Sequence, residues 1–136
     1  MLRLIKLIPL LSIQLIAYNL FMKSKNDAFI WFLNTIVSRI KLPNGQLVEL
    51  TAKDWFIISG ILFLFIEICK STGVTNISIM EHIFSIFILF IYVFQFFSYE
   101  YTATSAFLIL MILATLDVLC GLVVSITAAR KDISMH

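Results

Sequence analysis

Charge is what this chain has least of. Only 13% of its 136 residues are Asp, Glu, Lys or Arg, about half the share found in soluble domains. The net charge is +2, and the basic residues are scattered as flanks of apolar runs. That excludes the clustered Lys and Arg of a nucleic-acid surface. Cysteine is equally scarce. Cys69 and Cys120 each fall inside an apolar segment and read as small buried side chains rather than as a disulfide or metal pair. There is no zinc-ligand spacing, no P-loop and no dinucleotide fingerprint, so no metal and no cofactor is expected. His82 as a ligand is weak, because the other histidine, His136, is at the tail and no third ligand is apparent. No nucleophile–base pair or carboxylate pair with acid–base spacing is present, so the chain reads as non-enzymatic.

What is present is apolar surface. Hydrophobic residues make up 61% of the chain, more than a soluble core of this length can hide. Lipid is the solvent that suits them. Arg3 and Lys6 followed by an apolar run resemble a signal peptide, but the best cleavage position, after Leu15-Ile16-Ala17, has a large residue where a small one is required. The run reads as an uncleaved first helix.

The expected architecture is an all-α membrane protein, a four-transmembrane-helix bundle with a short extramembrane β-hairpin between helices 1 and 2, all in one integral membrane domain over 1–136. The helices are expected at about 4–22, 54–70, 77–98 and 103–129. Pro9 is placed in the first turns of the first, where a missing N–H does least harm. Thr51 and Asp54 can form a reciprocal cap at the second. The very short link "SYEYT" makes the third and fourth antiparallel neighbours. Between helices 1 and 2, "TIVSRIKL" and "QLVELT" flank Asn44-Gly45, a hairpin signal of the type I′ kind. That predicts a hairpin over about 35–51, with 35–42 paired to 46–51. It would lie outside hydrocarbon, where open strand edges are not tolerated. The stretch "AFIWFLN" before it reads as interfacial, with Trp31 at headgroup level. Trp31, Trp55, Tyr99 and Tyr101 fall toward one side, like an aromatic belt.

Both termini then share a side. Arg3, Lys6, Lys70, Arg130 and Lys131 flank that side, and Lys23, Lys25, Arg39, Lys41 and Lys53 the other, so basic residues are balanced. The folded hairpin on one side and the basic flanks at the termini favour cytoplasmic termini. Asn76-Ile77-Ser78 is a formal glycosylation sequon of chance-level pattern.

Few polar residues lie inside the apolar segments, and each needs an explanation. Asp117 stands in "LATLDVLCGLVV", roughly 20 Å deeper than Arg130 at ~1.5 Å per residue. A carboxylate at that depth costs about 2.5–3.5 kcal/mol or more. Ala106, Ala114, Asp117, Gly121 and Ala128 share a helix face whose small side chains allow close approach, and Gly60 offers the same on helix two. The expected partner of Asp117 is Gln14 or Tyr92. Tyr92 belongs to the helical-spaced stripe Glu81, Ser85, Ile88, Tyr92, Gln95. Asp117 reads as a protonated interhelical hydrogen-bond clamp, with a proton or ion relay and contact with a partner subunit as alternatives. Glu67, Lys70, Glu81, His82 and Arg130 read as an interfacial charge cluster on the termini side.

The stretches "IPLLSIQLIAYNL", "LPNGQLVELTAKD", "FIEICKST", "MEHIFS" and "LDVLCGLVVSITAARKD" together resemble small uncharacterised four-helix inner-membrane proteins of bacteria, of the alphaproteobacterial type. The last stretch is the most specific. Where similar chains place Asp before the histidine, Glu81 stands here and keeps the charge. The resemblance implies this topology and a bacterial inner membrane, and nothing about mechanism. The expected role is a non-catalytic accessory or assembly subunit of a larger membrane complex, with the lipid bilayer and a protein partner or second copy as its contacts. The alternative is a small oligomeric transporter or channel, proton-linked through Asp117.

Overall fold

The computed structural model describes residues 7–23, 27–71 and 76–134, and of residues 76–78 the backbone alone. Arg3, Lys6, Lys25, His136, the first residues of the predicted helix 1 and the sequon side chains lie outside the described residues. Among the described residues the chain is mostly helical with one small antiparallel sheet. Its elements are α1 (Leu10–Lys23), α2 (Asp27–Leu33), β1 (Ile36–Lys41), β2 (Leu47–Thr51), α3 (Ala52–Ser71), α4 (Asn76–Ser98), a 3-10 turn (Glu100–Thr102) and α5 (Ser105–Ser134).

The α1 helix starts after Pro9 rather than around it. Proline lacks the donor and crowds the preceding turn, so Pro9 ends the lead-in and its carbonyl accepts from Ser12 N at 3.0 Å and Ser12 Oγ at 2.6 Å. The short α2 covers the expected interfacial stretch. Its Phe29 stacks on Phe21 with centroids 4.7 Å apart, and Trp31 is exposed.

The hairpin forms in the expected place, with Lys41 opposite Leu47, Arg39 opposite Glu49 and Ile36 opposite Thr51. The register breaks between Ile36 and Ser38, which places one extra residue on β1. Its turn differs from the expectation. Gly45 N donates to Leu42 O at 2.9 Å, which makes Pro43 and Asn44 the central residues. Pro43 presets the first of these, and Gly45 after them takes the left-handed conformation, φ 86°. Asn44 Oδ1 accepts from Gln46 N at 3.1 Å, as asparagine does in turns.

At the start of α3 the reciprocal cap is complete. Thr51 N donates to Asp54 Oδ2 at 2.8 Å, Thr51 Oγ1 to the same oxygen at 2.7 Å, and Asp54 N to Thr51 Oγ1 at 3.4 Å. These bonds, from the hydroxyl first and the backbone second, hold the Asp54 carboxyl below its ordinary pKa. Asp54 sits ahead of the apolar stretch that begins at Trp55.

The most extensive helix packing is that of α5 against α4 and α3. Its buried face is Ala106, Phe107, Leu110, Leu113, Ala114, Asp117 and Gly121. Phe107 sits between the rings of Tyr18, Tyr92 and Phe96, at 5.0, 5.3 and 6.3 Å, and Leu11, Leu15 and Leu64 complete the core. Among the described residues two helices, α4 from Ile79 and α5, are long and apolar enough to cross a bilayer. The 14 described residues of α1 reach only ~21 Å, short of ~30 Å of hydrocarbon. The α3 helix has 20 residues but carries Lys53, Asp54, Glu67 and Lys70.

Candidate functional site: two buried polar layers

The inward stripe on α4 turns the expected way. Ser85 is buried and Tyr92 is 0% exposed, whereas Phe90 and Phe97, one face over, are 71% and 80% exposed. The same inversion holds on α5, where Asp117 is 8% exposed while Leu119 and Val123 face outward. Polar groups collected inside have to find one another, and they do so in two layers.

The first layer lies toward the α3–α4 connection. Glu67 is 5% exposed, and its Oε1 accepts from Leu10 N at 2.5 Å and from Lys70 Nζ at 3.5 Å. Leu10 opens α1, so its N–H has no partner within its own helix, and a carboxylate there also meets the positive end of the helix dipole. Lys70 reaches Glu81 as well, at 4.0 Å. Asp117 takes Ser85 as its hydrogen-bond partner and lies within electrostatic range of Glu67, His82 and Lys70. His82 fills the space beside Gly121, and its Nε2 is buried without a hydrogen-bond partner among the described residues.

This corrects the partner expected for Asp117. Gln14 instead donates to Phe56 O at 2.9 Å and Ser59 Oγ at 2.8 Å, and Tyr92 donates to Leu11 O at 3.0 Å. Depth along a helix leaves several candidates, and which faces meet depends on how the helices are rotated. Of the expected charge cluster, Glu67, Lys70, Glu81 and His82 come together, and Asp117 joins them. Arg130 is exposed near the end of α5 and takes part in none of these contacts among the described residues. Ala114 and Gly121 are buried as packing positions, as is Gly60, where a Cβ would lie 2.7 Å from Gln14 Oε1.

The second layer lies toward the hairpin. Asn19 Nδ2 donates to Leu15 O and to Gln95 Oε1, both at 2.8 Å, and Tyr101 Oη donates to Asn19 Oδ1 at 3.0 Å. Thr102 Oγ1 donates to Gln95 O and Tyr99 O, each at 2.7 Å. Tyr18 Oη bonds Thr104 Oγ1 at 2.6 Å. Sequence reasoning misses this layer, and the signal that points to it is Asn19 in an apolar run, five residues after Gln14. Between the layers α5 presents Phe107, Leu110 and Leu113, all buried.

Among the described residues no group of three or more His, Cys, Asp or Glu is placed to hold a metal, and neither Cys69 nor Cys120 is part of a disulfide there. Comparison with protein-family models, with curated proteins and with solved structures finds no match.

Proposed function

We propose that the chain is a multi-pass inner-membrane protein of four membrane helices with cytoplasmic termini, serving as a non-catalytic accessory or assembly subunit of a larger membrane complex. The observation that carries this reading is that the interior polar groups join helices to one another. Glu67, Asp117, Gln14, Asn19 and Gln95 are spent on tying helices to one another. Between the two networks α5 presents Phe107, Leu110 and Leu113, and the polar groups at that level, Gln14 and Tyr92, bond to Phe56 O, Ser59 and Leu11 O rather than to either network, which supports a structural role over a relay. Outside, apolar surface is left over. Ile36, Val37, Ile40, Leu47 and Val48 are exposed on the hairpin, and a two-stranded hairpin is marginal until something packs on it. The mild-detergent pull-down of tagged protein at native expression, followed by mass spectrometry, is the test. A stoichiometric complex is expected. Recovery of the chain alone, with other complexes intact after its deletion, overturns the reading.

One observation favours the second reading, an oligomeric transporter or channel: the buried cluster of Asp117, Glu67, His82 and Lys70. That reading requires proteoliposome flux that Asp117→Asn abolishes without loss of folding.

A further inference from the structure

Helices α1 and α4 are bridged by the bonds of Tyr92 to Leu11 O and of Asn19 to Gln95, and a groove opens beside these bridges. It has a volume of about 800 Å³ and runs from Ser12 to Lys23, lined by Ile16, Leu20, Ile88, Ile91 and Gln95 among others. It continues past Ser12 and Ile16 as a second stretch of about 710 Å³ beside Phe84 and Phe87. The continuation is apolar and the other end is polar. From Gln95 to Phe84 the groove follows α4 for ~16 Å at 1.5 Å per residue. That is more than half the ~30 Å hydrocarbon thickness.

The hydrogen bonds at the polar end decide what it presents. Leu15 O can only accept, so the Asn19 amide must turn its nitrogen toward it. The other N–H of that nitrogen goes to Gln95 Oε1, and the Asn19 oxygen takes the Tyr101 proton. Gln95 is thereby fixed with its oxygen used and its NH₂ left over. The groove mouth therefore offers the Gln95 NH₂, the Lys23 ammonium and the Tyr99 hydroxyl, all able to donate, and among the described residues no carboxylate lines it. The long apolar floor below a mouth of donors has the form that an acyl chain beneath an anionic headgroup fills.

We propose that this groove seats one anionic phospholipid, its phosphate at Lys23, Gln95 and Tyr99 and one acyl chain running along Ile91 and Ile88 toward Phe84. The proposal rests on the reading of α1 and α4 as membrane helices. Resistance of the chain to carbonate extraction from membranes checks that reading separately.

The test is native mass spectrometry of the full chain in mild detergent, titrated with palmitoyl-oleoyl phosphatidylglycerol or with the phosphatidylcholine of the same chains. One phosphatidylglycerol per chain is expected, preferred by roughly fivefold or more, the worth of about one lysine near an anionic surface. Lys23→Gln, an exposed change that leaves the core alone, brings the two lipids to parity. Ile88→Trp, which fills the groove, lowers retention of both. Equal binding of the two lipids by the unaltered chain, or a preference that survives Lys23→Gln, overturns the proposal. So does a photo-crosslinker at Ile88 that captures a polypeptide in native membranes and no lipid.

Discussion

The His82 ring occupies the space that any side chain at position 121 would need. A Cβ on Gly121 would fall on the ring itself, against Cε1 and Nε2. Glycine here is a condition for α4 and α5 to meet with the imidazole between them. Gly121→Ala therefore drives the ring out of its place, at a cost of about 1–3 kcal/mol for overpacking. Thermal denaturation in detergent measures it. Because the clash is with one side chain, His82→Ala in the same molecule should recover part of the loss, a coupling that a double-mutant cycle reads directly. Additive losses would mean that Gly121 is needed for something other than room for His82.

Glu67 is tied to the backbone of another helix as well as to a lysine. Glu67→Ala leaves the Leu10 N–H and the Lys70 ammonium without their buried acceptor, and a loss of roughly 1–3 kcal/mol is expected for the orphaned groups. Glu67→Gln keeps an acceptor for Leu10 N and should lose less. Hydrogen exchange at the start of α1 separates the two variants: faster exchange is expected in the alanine variant. Equal exchange in both would remove the bond to Leu10 as the reason Glu67 is buried.

Elements whose cause is local are legible in the sequence. The reciprocal cap of Thr51 and Asp54, the hairpin around Asn44-Gly45 and the inward stripe from Glu81 to Gln95 follow from spacing alone. The turn inside the hairpin departs from the type I′ expectation because Pro43, with its fixed φ, moves the turn back by one residue from Asn44-Gly45. The partner of Asp117 departs from expectation for a different reason. Depth along a helix is local, but the rotation of helices about their axes is set by all the packing at once. Ser85 shares the stripe with Tyr92, and only the packed helices decide which of the two faces Asp117. The bond from Leu10 N to Glu67 is beyond sequence reasoning, because it depends on where α1 begins, and that start lies past Pro9.

Asp54 carries a pH dependence of definite sign. Its carboxyl is held below the ordinary aspartate value, 3.8, chiefly by the Thr51 hydroxyl and then by the Thr51 N–H. A depressed folded-state pKa contributes stability that is present above the unfolded value and is lost as pH falls through the folded one. Thr51→Val removes the hydroxyl, and about 1 kcal/mol is expected at neutral pH, as for other helix caps. The difference between wild type and variant should shrink below pH 3.8. A difference that stays constant down to acid would assign it to lost packing at Thr51 instead.

Asp117 is where the two functional readings part. Its neighbours are a hydroxyl at Ser85 and charged or polar groups at Glu67, His82 and Lys70, while the side chains onward along α5, Leu113, Leu110 and Phe107, are apolar and buried. An amide can replace a carboxyl in a bond with Ser85, so Asp117→Asn should keep the bundle folded, within about 1 kcal/mol of wild type in detergent unfolding. Asp117→Leu leaves Ser85 facing an apolar side chain in a buried site, and about 1–3 kcal/mol should be lost. If the chain holds a complex together, Asp117→Asn also leaves co-purification of the partner intact. Normal stability with lost proton flux in proteoliposomes is the one pattern the clamp cannot produce. That result would transfer Asp117 from holding helices to moving protons, past the apolar side chains of Leu113, Leu110 and Phe107 that precede it on α5.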